Sequence, residues 1–160
     1  MSVDAMTYRQ VVGNFATGVA VVTSGSGEDC HGVTVNSFTS VSLDPTLLLV
    51  CLDRASRSRA TIMDSGVFNI NVLRADQEHV SRLFAAKERP ATWYEDLHCE
   101  TGILGAPLIP GCLAYMECHL SESHEAGDHT ILIAEVQHAR VAGEGEPLLF
   151  FRAKYAQIAI

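Results

Sequence analysis

Apolar and polar residues alternate with a period of two over several stretches of this chain and recur at helical spacing over a few others. Strict alternation at Val67–Leu73 (VFNINVL) predicts a strand. Gly18–Thr23 (GVAVVT), Cys112–Ser123, Thr130–Val141 and Pro147–Phe151 read as four more, the last with an extension toward Ala153. After Thr23 the segment SGSGED is a Gly/Ser turn that returns the chain, as a hairpin, into a strand over Cys30–Val41. That strand alternates from Val33 to Asn36 and then slips at Ser37. Phe38 and Val41 carry the apolar character beyond that point, while Ser37, Thr39 and Ser40 crowd polar groups together. Past a turn at Leu43–Thr46, Leu47–Leu52 is apolar on both faces and predicts a central, fully covered strand.

Helical spacing is found at Met6–Phe15, through Met6, Val11, Val12 and Phe15. Arg57–Ser65 reads as a short helix, capped by Ser56 or Ser58 and stopped by Gly66. Asp76–Ala86 is the clearest helix, with Val80, Leu83 and Phe84 on one side and Asp76 as its cap. A charged connector over Lys87–Thr92 leads to a helical turn at Trp93–Leu97, and Thr101–Ile109 is irregular. The remaining links, EAGD and AGEGEP, are turn-like. Six or seven strands, two or three short helices and no regular βα alternation predict a mainly β fold. The expected form is a closed or nearly closed antiparallel barrel with flanking helices, in one domain over residues 1–160.

Composition narrows the function classes. Apolar residues make up 48% and charged residues 19%, which excludes disorder. The net charge of −8, with no basic window beyond Arg54–Arg59, argues against a broad nucleic-acid face but leaves room for a local anion site. Five cysteines without a paired CxxC motif suit a reducing compartment. The opening MSVDAMTYRQVV lacks the layout of a signal peptide, and no apolar run has the length of a bilayer span. The expectation is a soluble cytoplasmic protein with no membrane partner.

Four stretches carry candidate chemistry. Thr34–Ser40 sets an amide and several small hydroxyls beside the most apolar strand, a wall suited to a planar heterocycle with polar edges. The plainer alternative is a bulged strand whose hydroxyls bond neighbouring backbone. Asp53–Arg59 (DRASRSR) combines serines, arginines and a helix start into an anion site, to which Lys87 adds charge; the alternative is a solvated, serine-capped helix start. In Gly127-Asp128-His129-Thr130, His129 stands at the mouth of a strand, where it can donate to a carbonyl or move a proton, or simply belong to a hairpin turn. Phe150–Tyr155 offers Arg152, Lys154 and Tyr155 to an anionic aromatic partner, or edge packing. His119, His124 and His129 are spaced so that successive side chains leave opposite strand faces, and neither HExxH nor paired cysteines occur, so no metal site is expected. There is no GxSxG and no GxGxxG. Cys51 reads as packing rather than as a reactive thiol.

Taken in order, VTVNSFTSVSLDPTLLLVCLDRASRSRATI, FNINVLRADQEHVSRLFA, GDHTILIAEV and PLLFFRAKY resemble the short-chain flavin reductases. These are the reductase partners of two-component flavin monooxygenases, built on the FMN-binding split β-barrel. The likeness covers nearly the whole chain. It implies that Thr34, Val35, Asn36, Ser37 and Ser40 line the flavin ring and ribityl chain, with main-chain groups of Cys51, Leu52 and Asp53 along the isoalloxazine. Ser56, Ser58 and Arg57 then hold the phosphate, and Phe84, Ala85 and Lys87 close over the phosphate or adenylate side. His129, as the catalytic residue, faces the nicotinamide together with Arg152 and Tyr155. The implied activity is an NAD(P)H:flavin oxidoreductase that uses NADH or NADPH to reduce FMN or FAD. The implied assembly is a homodimer, with reduced flavin passed to a partner monooxygenase. A flavin-binding barrel that acts on another substrate without NAD(P)H is the alternative. One departure stands out: the family's FFRG segment has glycine where this chain has Ala153.

Overall fold

In the computed structural model, which describes residues 2–158, the alternating runs build one seven-stranded antiparallel sheet. Helix α1 (Ala5–Val12) and the short β1 (Thr17–Gly18) precede β2 (Ala20–Ser24), β3 (His31–Val35), β4 (Thr39–Leu43) and β5 (Thr46–Asp53). There follow α2 (Arg57–Ser65), β6 (Val67–Val72), α3 (Glu78–Ala85), α4 (Trp93–Asp96) and the small pair β7 (Glu100–Thr101) and β8 (Pro107–Leu108). The long hairpin of β9 (Ala114–Ala126) and β10 (His129–Val141) comes next, then the hairpin of β11 (Leu149–Phe151) and β12 (Lys154–Ala156). The sheet order is β3-β2-β6-β9-β10-β5-β4.

Its two edge strands, β3 and β4, are neighbours in sequence. The expected continuous strand over Cys30–Val41 is therefore corrected to two strands at opposite ends of the sheet, broken at Asn36–Phe38. The physical reason is local. Ser37 Oγ donates to the Cys51 carbonyl and accepts the Cys51 N–H, each at 3.0 Å, so a hydroxyl takes the place of a ladder partner and curls the β3 end back on β5.

Two apolar layers result. The space the sheet encloses holds Val22, Leu48, Val50, Leu52, Phe68, Ile70 and Leu132, plugged by Ile62 of α2. The second layer lies under α3 and α4 and includes Val21, Leu73, Val80, Phe84, Trp93, Ile109 and Tyr115. Each such side chain contributes about 1.5–3 kcal/mol on burial. Asn71 is fully buried yet satisfied: it donates to the Val21 carbonyl and Thr23 Oγ1 and accepts from the Ile109 N–H, which ties the irregular 101–112 segment to β6.

Several local expectations change. Leu47–Leu52 is not fully covered, because β5 is next to the edge strand β4. Leu48, Val50 and Leu52 are buried, whereas Leu47, Leu49 and Cys51 face outward and are half-buried. Asp76 does not cap the helix after it. It forms an ion pair with Arg74, and the Gln77 side chain accepts the Arg74 N–H instead. The first helix stops at Val12, capped by Asp4, and none of its residues is buried; Phe15 beyond it is 77% exposed. The final strand ends at Phe151, and a turn at Arg152-Ala153 leads into a further strand, β12, that the apolar pattern did not reveal. No helix among the described residues is long and apolar enough to cross a membrane.

Candidate functional site

The corner between β3 and β4 opens onto a cleft of about 970 Å³. Val35, Asn36, Ser37, Phe38 and Thr39 line it, as do Tyr8, Arg9 and Val12 of α1, Thr17 and Gly18 of β1, and Ala153. Asn36 is exposed there. Thr17 Oγ1 is shielded from solvent and has no hydrogen-bond partner among the described residues. Of the predicted wall, Thr34 and Ser40 lie outside the cleft lining. Thr34 Oγ1 donates to the Ser81 carbonyl at 2.6 Å and so binds α3 to β3, while Ser40 is exposed on β4. Ser37 is the clasp already described, and its bonds occupy the Cys51 main-chain groups on that side.

A basic group forms at the other end of β3. Within DRASRSR the three guanidiniums do not converge as expected. Arg54 and Arg59 both turn to Glu125 of β9, at 2.8 and 2.7 Å, and Arg59 Nε also donates to Thr130 Oγ1. These contacts hold the Glu125 carboxyl below the usual carboxylate range, chiefly through the Arg59 hydrogen bond. Arg57 alone of the three has no acidic partner among the described residues. Its field reaches two residues that the sequence pattern did not single out, His31 and Arg89. Arg89 lies over the Phe84 ring at 5.2 Å and donates to the Gly32 carbonyl. Burial first, and then the Arg57 charge, lowers the Arg89 pKa. Burial, then Arg57, then Arg89 lower that of His31, with Asp29 opposing. The only signal for Arg89 was a cation in a connector after an amphipathic helix. For His31 it was a place at the head of the polar strand.

The other predicted anion-site residues divide by exposure. Ser56 caps α2 by accepting the Arg59 N–H, and Asp53 Oδ1 accepts the Ala55 N–H at 2.7 Å. Ser58 and Leu52 are buried, so Leu52 can offer a ligand main-chain groups only. Phe84 is 1% exposed and packs edge-on against Trp93 at 5.0 Å, which puts it behind the basic group rather than in its face. Ala85 and Lys87 are exposed.

His129 opens β10 opposite Asp53, and its Nδ1 pairs with Asp128 Oδ1 at 2.8 Å. That bond lowers the Asp128 pKa, with a smaller contribution from the Arg9 charge of α1. No hydrogen bond or ion pair among the described residues joins His129 to Arg152 or Tyr155. Tyr155 Oη pairs with Ser81 Oγ at 2.8 Å, beneath Arg82, and Arg152 Nε donates to Asn14 Oδ1 at 2.8 Å. Among the described residues no group of three or more His, Cys, Asp or Glu side chains has metal-binding geometry.

Arg152 and Ala153 both adopt positive φ, +48° and +59°, as a two-residue hairpin turn of this twist demands. A Cβ in this region costs roughly 1–2 kcal/mol, against the roughly 0.5–1 kcal/mol of entropy that glycine loses on folding. Ala153→Gly is thus expected to stabilise the protein by about 0.5–1 kcal/mol. Urea denaturation measures this, and a lower midpoint would contradict it.

Residues 12–159 match the family described as "Flavin reductase like domain". The chain is 42% identical to "FMN reductase (NADH) SmoA" of Agrobacterium fabrum, over 92% of this chain and 82% of that one. It resembles the crystal structure of the flavin reductase component of a bacterial two-component tryptophan halogenase, with a TM-score of 0.91 and 38% identity over 97% of this chain and 98% of that chain. The NADH:FAD oxidoreductase of Streptomyces globisporus in complex with NAD and FAD fragments gives a TM-score of 0.91 at 37% identity, over 98% and 93% of the two chains.

Proposed function

The chain belongs to the flavin reductase-like family, and on that premise we propose that it is an NADH:flavin oxidoreductase, built as one domain, that supplies reduced flavin to an oxygenase component. The observation that carries the reading is the pairing of a ring-sized cleft at one end of β3 with an unneutralised basic seat at the other. From His31 to Val35, β3 spans roughly 13 Å at about 3.3 Å per residue, room for a sugar-alcohol chain between a phosphate at one end and a ring in the cleft at the other. The residues present fit such a ligand. Asn36 offers donor and acceptor to a ring edge, and the unpartnered Thr17 Oγ1 lies in the same lining. Arg57, Arg89 and the amino-terminal N–H groups of α2 would hold the phosphate, with Lys87 and Ala85 at its margin. Main-chain groups of Asp53 border the ring.

Bound flavin supplies the hydride acceptor and NADH the donor, so the protein's task is to hold the two rings in contact. His129, oriented by Asp128, would donate to the carboxamide or carry a proton, so its loss slows turnover without abolishing it. The test is anaerobic mixing of the purified protein with NADH, with and without FMN or FAD. Bleaching of the visible flavin band well above the uncatalysed rate supports the reading. Flavin that binds yet stays oxidised would favour a flavoprotein acting on another substrate.

We also propose a homodimer. The outward face of β5 and β10 pairs Leu49 with Ile133 and Cys51 with Ile131, all four half-buried in one copy of the chain. A second copy covering this face removes an apolar patch of the kind monomers seldom expose. Sedimentation at micromolar concentration should give twice the chain mass, and a monomer would sink the proposal.

The seat also predicts a pH effect. The His31 pKa is lowered from the ordinary value of 6.5. Between 6.5 and its own lower value, the unfolded chain therefore holds a proton that the folded chain does not. Stability from this group is lost as pH falls through that window, and a phosphate that raises the His31 pKa restores it. Thermal midpoints with inorganic phosphate should thus rise more, relative to phosphate-free buffer, as pH is lowered through the window. His31→Gln should flatten the difference, and an unchanged difference would count against the seat.

A further inference from the structure

Helix α1 forms one wall of the cleft through Tyr8, Arg9 and Val12, yet none of its residues is buried. Within one copy of the chain no packed face holds it in place. Among the described residues, two hydrogen bonds join the 4–15 segment to the rest of the protein, and both come from Arg152. Its main-chain N–H donates to the Gly13 carbonyl at 2.8 Å, and its Nε donates to Asn14 Oδ1 at 2.8 Å. Asn14 Nδ2 in turn donates to the Gln10 carbonyl at 2.7 Å, so one amide grips both the helix end and the arginine. The left-handed turn at Arg152-Ala153 aims that N–H, and the guanidinium lies over the Phe151 ring at 4.9 Å. Gly13 suits the junction, because a Cβ there would stand 3.0 Å from the Arg9 carbonyl and 3.7 Å from Arg152 Cα.

We propose that Arg152 is a positioning residue that latches α1 over the cleft, and that the latched helix is the wall the nicotinamide meets. This rests on the reductase reading for the ligand, but not for the latch. A flavin ring laid on Asn36–Phe38 leaves α1 as the surface bounding the second ring. A helix held only by exposed hydrogen bonds opens readily, so weakening the latch changes how often the wall is in place.

The test combines hydrogen exchange of the ligand-free protein with steady-state kinetics using NADH and FMN. Arg152→Ala and Asn14→Ala are each expected to speed amide exchange across residues 5–12 by about tenfold, and to raise the KM for NADH about three- to tenfold, with kcat within about twofold. Arg152→Gln, which keeps an N–H donor without the charge, should recover part of both effects. Unchanged exchange in the two alanine variants would overturn the latch. Faster exchange with an unaltered KM would overturn the wall. Restoration of KM by Arg152→Lys with exchange still fast would assign the guanidinium to the dinucleotide itself, and so also overturn the proposal. If the parent protein fails to oxidise NADH with either flavin, the reductase reading falls and the wall with it, while the exchange arm still decides the latch.

Discussion

Arg57→Ala combined with Arg89→Ala is expected to weaken FMN binding about a hundredfold or more while leaving the protein folded. Hydrogen bonds to a charged group are worth about 1.5–3 kcal/mol each, so losing two guanidiniums from one phosphate removes at least two factors of ten. The fold should tolerate the change. Arg57 is exposed and has no acidic partner among the described residues, and the two guanidiniums repel one another when no anion lies between them. Arg54→Ala is the control, since its guanidinium is held by Glu125, and FMN affinity should move by less than about threefold. Quenching of flavin fluorescence measures all three proteins. A double variant that binds FMN like the parent would mean that the phosphate sits elsewhere.

Gly32→Ala should cost about 1–3 kcal/mol of stability, the usual penalty for overpacking. A Cβ at that position would stand 2.5 Å from the Phe84 ring. Phe84 has little room to yield, because it is wedged edge-on against Trp93 in the layer under α3. The displacement should propagate, since Arg89 rests on the Phe84 face and bonds the Gly32 carbonyl. The same substitution is therefore expected to weaken FMN binding as well, by an amount smaller than removal of Arg89. Chemical denaturation and flavin titration of one sample check both parts. An unshifted midpoint would show that the layer relaxes at no cost.

What the amino-acid pattern reveals here depends on range. Residues 67–72 alternate strictly and form β6, and the helical spacing of Val80, Leu83 and Phe84 is the buried side of α3. Such periods report the type of element, a local property, and in α3 the covered side as well; in β6 they miss that Asn69 and Asn71 are buried on the second face. They do not report partners. Arg54 and Arg59 looked like half of an anion site, but Glu125, some seventy residues later, takes both. Arg89 and His31 gave no local sign of their place beside Arg57, because their proximity comes from α3 packing across β3. The polar row at Ser37–Ser40 marked the right place for an irregularity. Its form, a corner separating the two edges of the sheet, needed the position of Cys51. The resemblance to flavin reductases spanned these gaps, since blocks in order carry information about distant neighbours that no single period holds.

Sheet edges are where separate chains recruit one another, because an unpaired strand offers N–H and C=O groups to any extended segment that passes. In this protein α3 packs across β3, and the end of that edge strand is folded back on β5 by a single serine hydroxyl. That hydroxyl also belongs to the lining of the cleft. Resistance to edge-to-edge association and the shape of the cleft thus share one residue, and Ser37 cannot be retuned for a different ring without also loosening the guard on that edge.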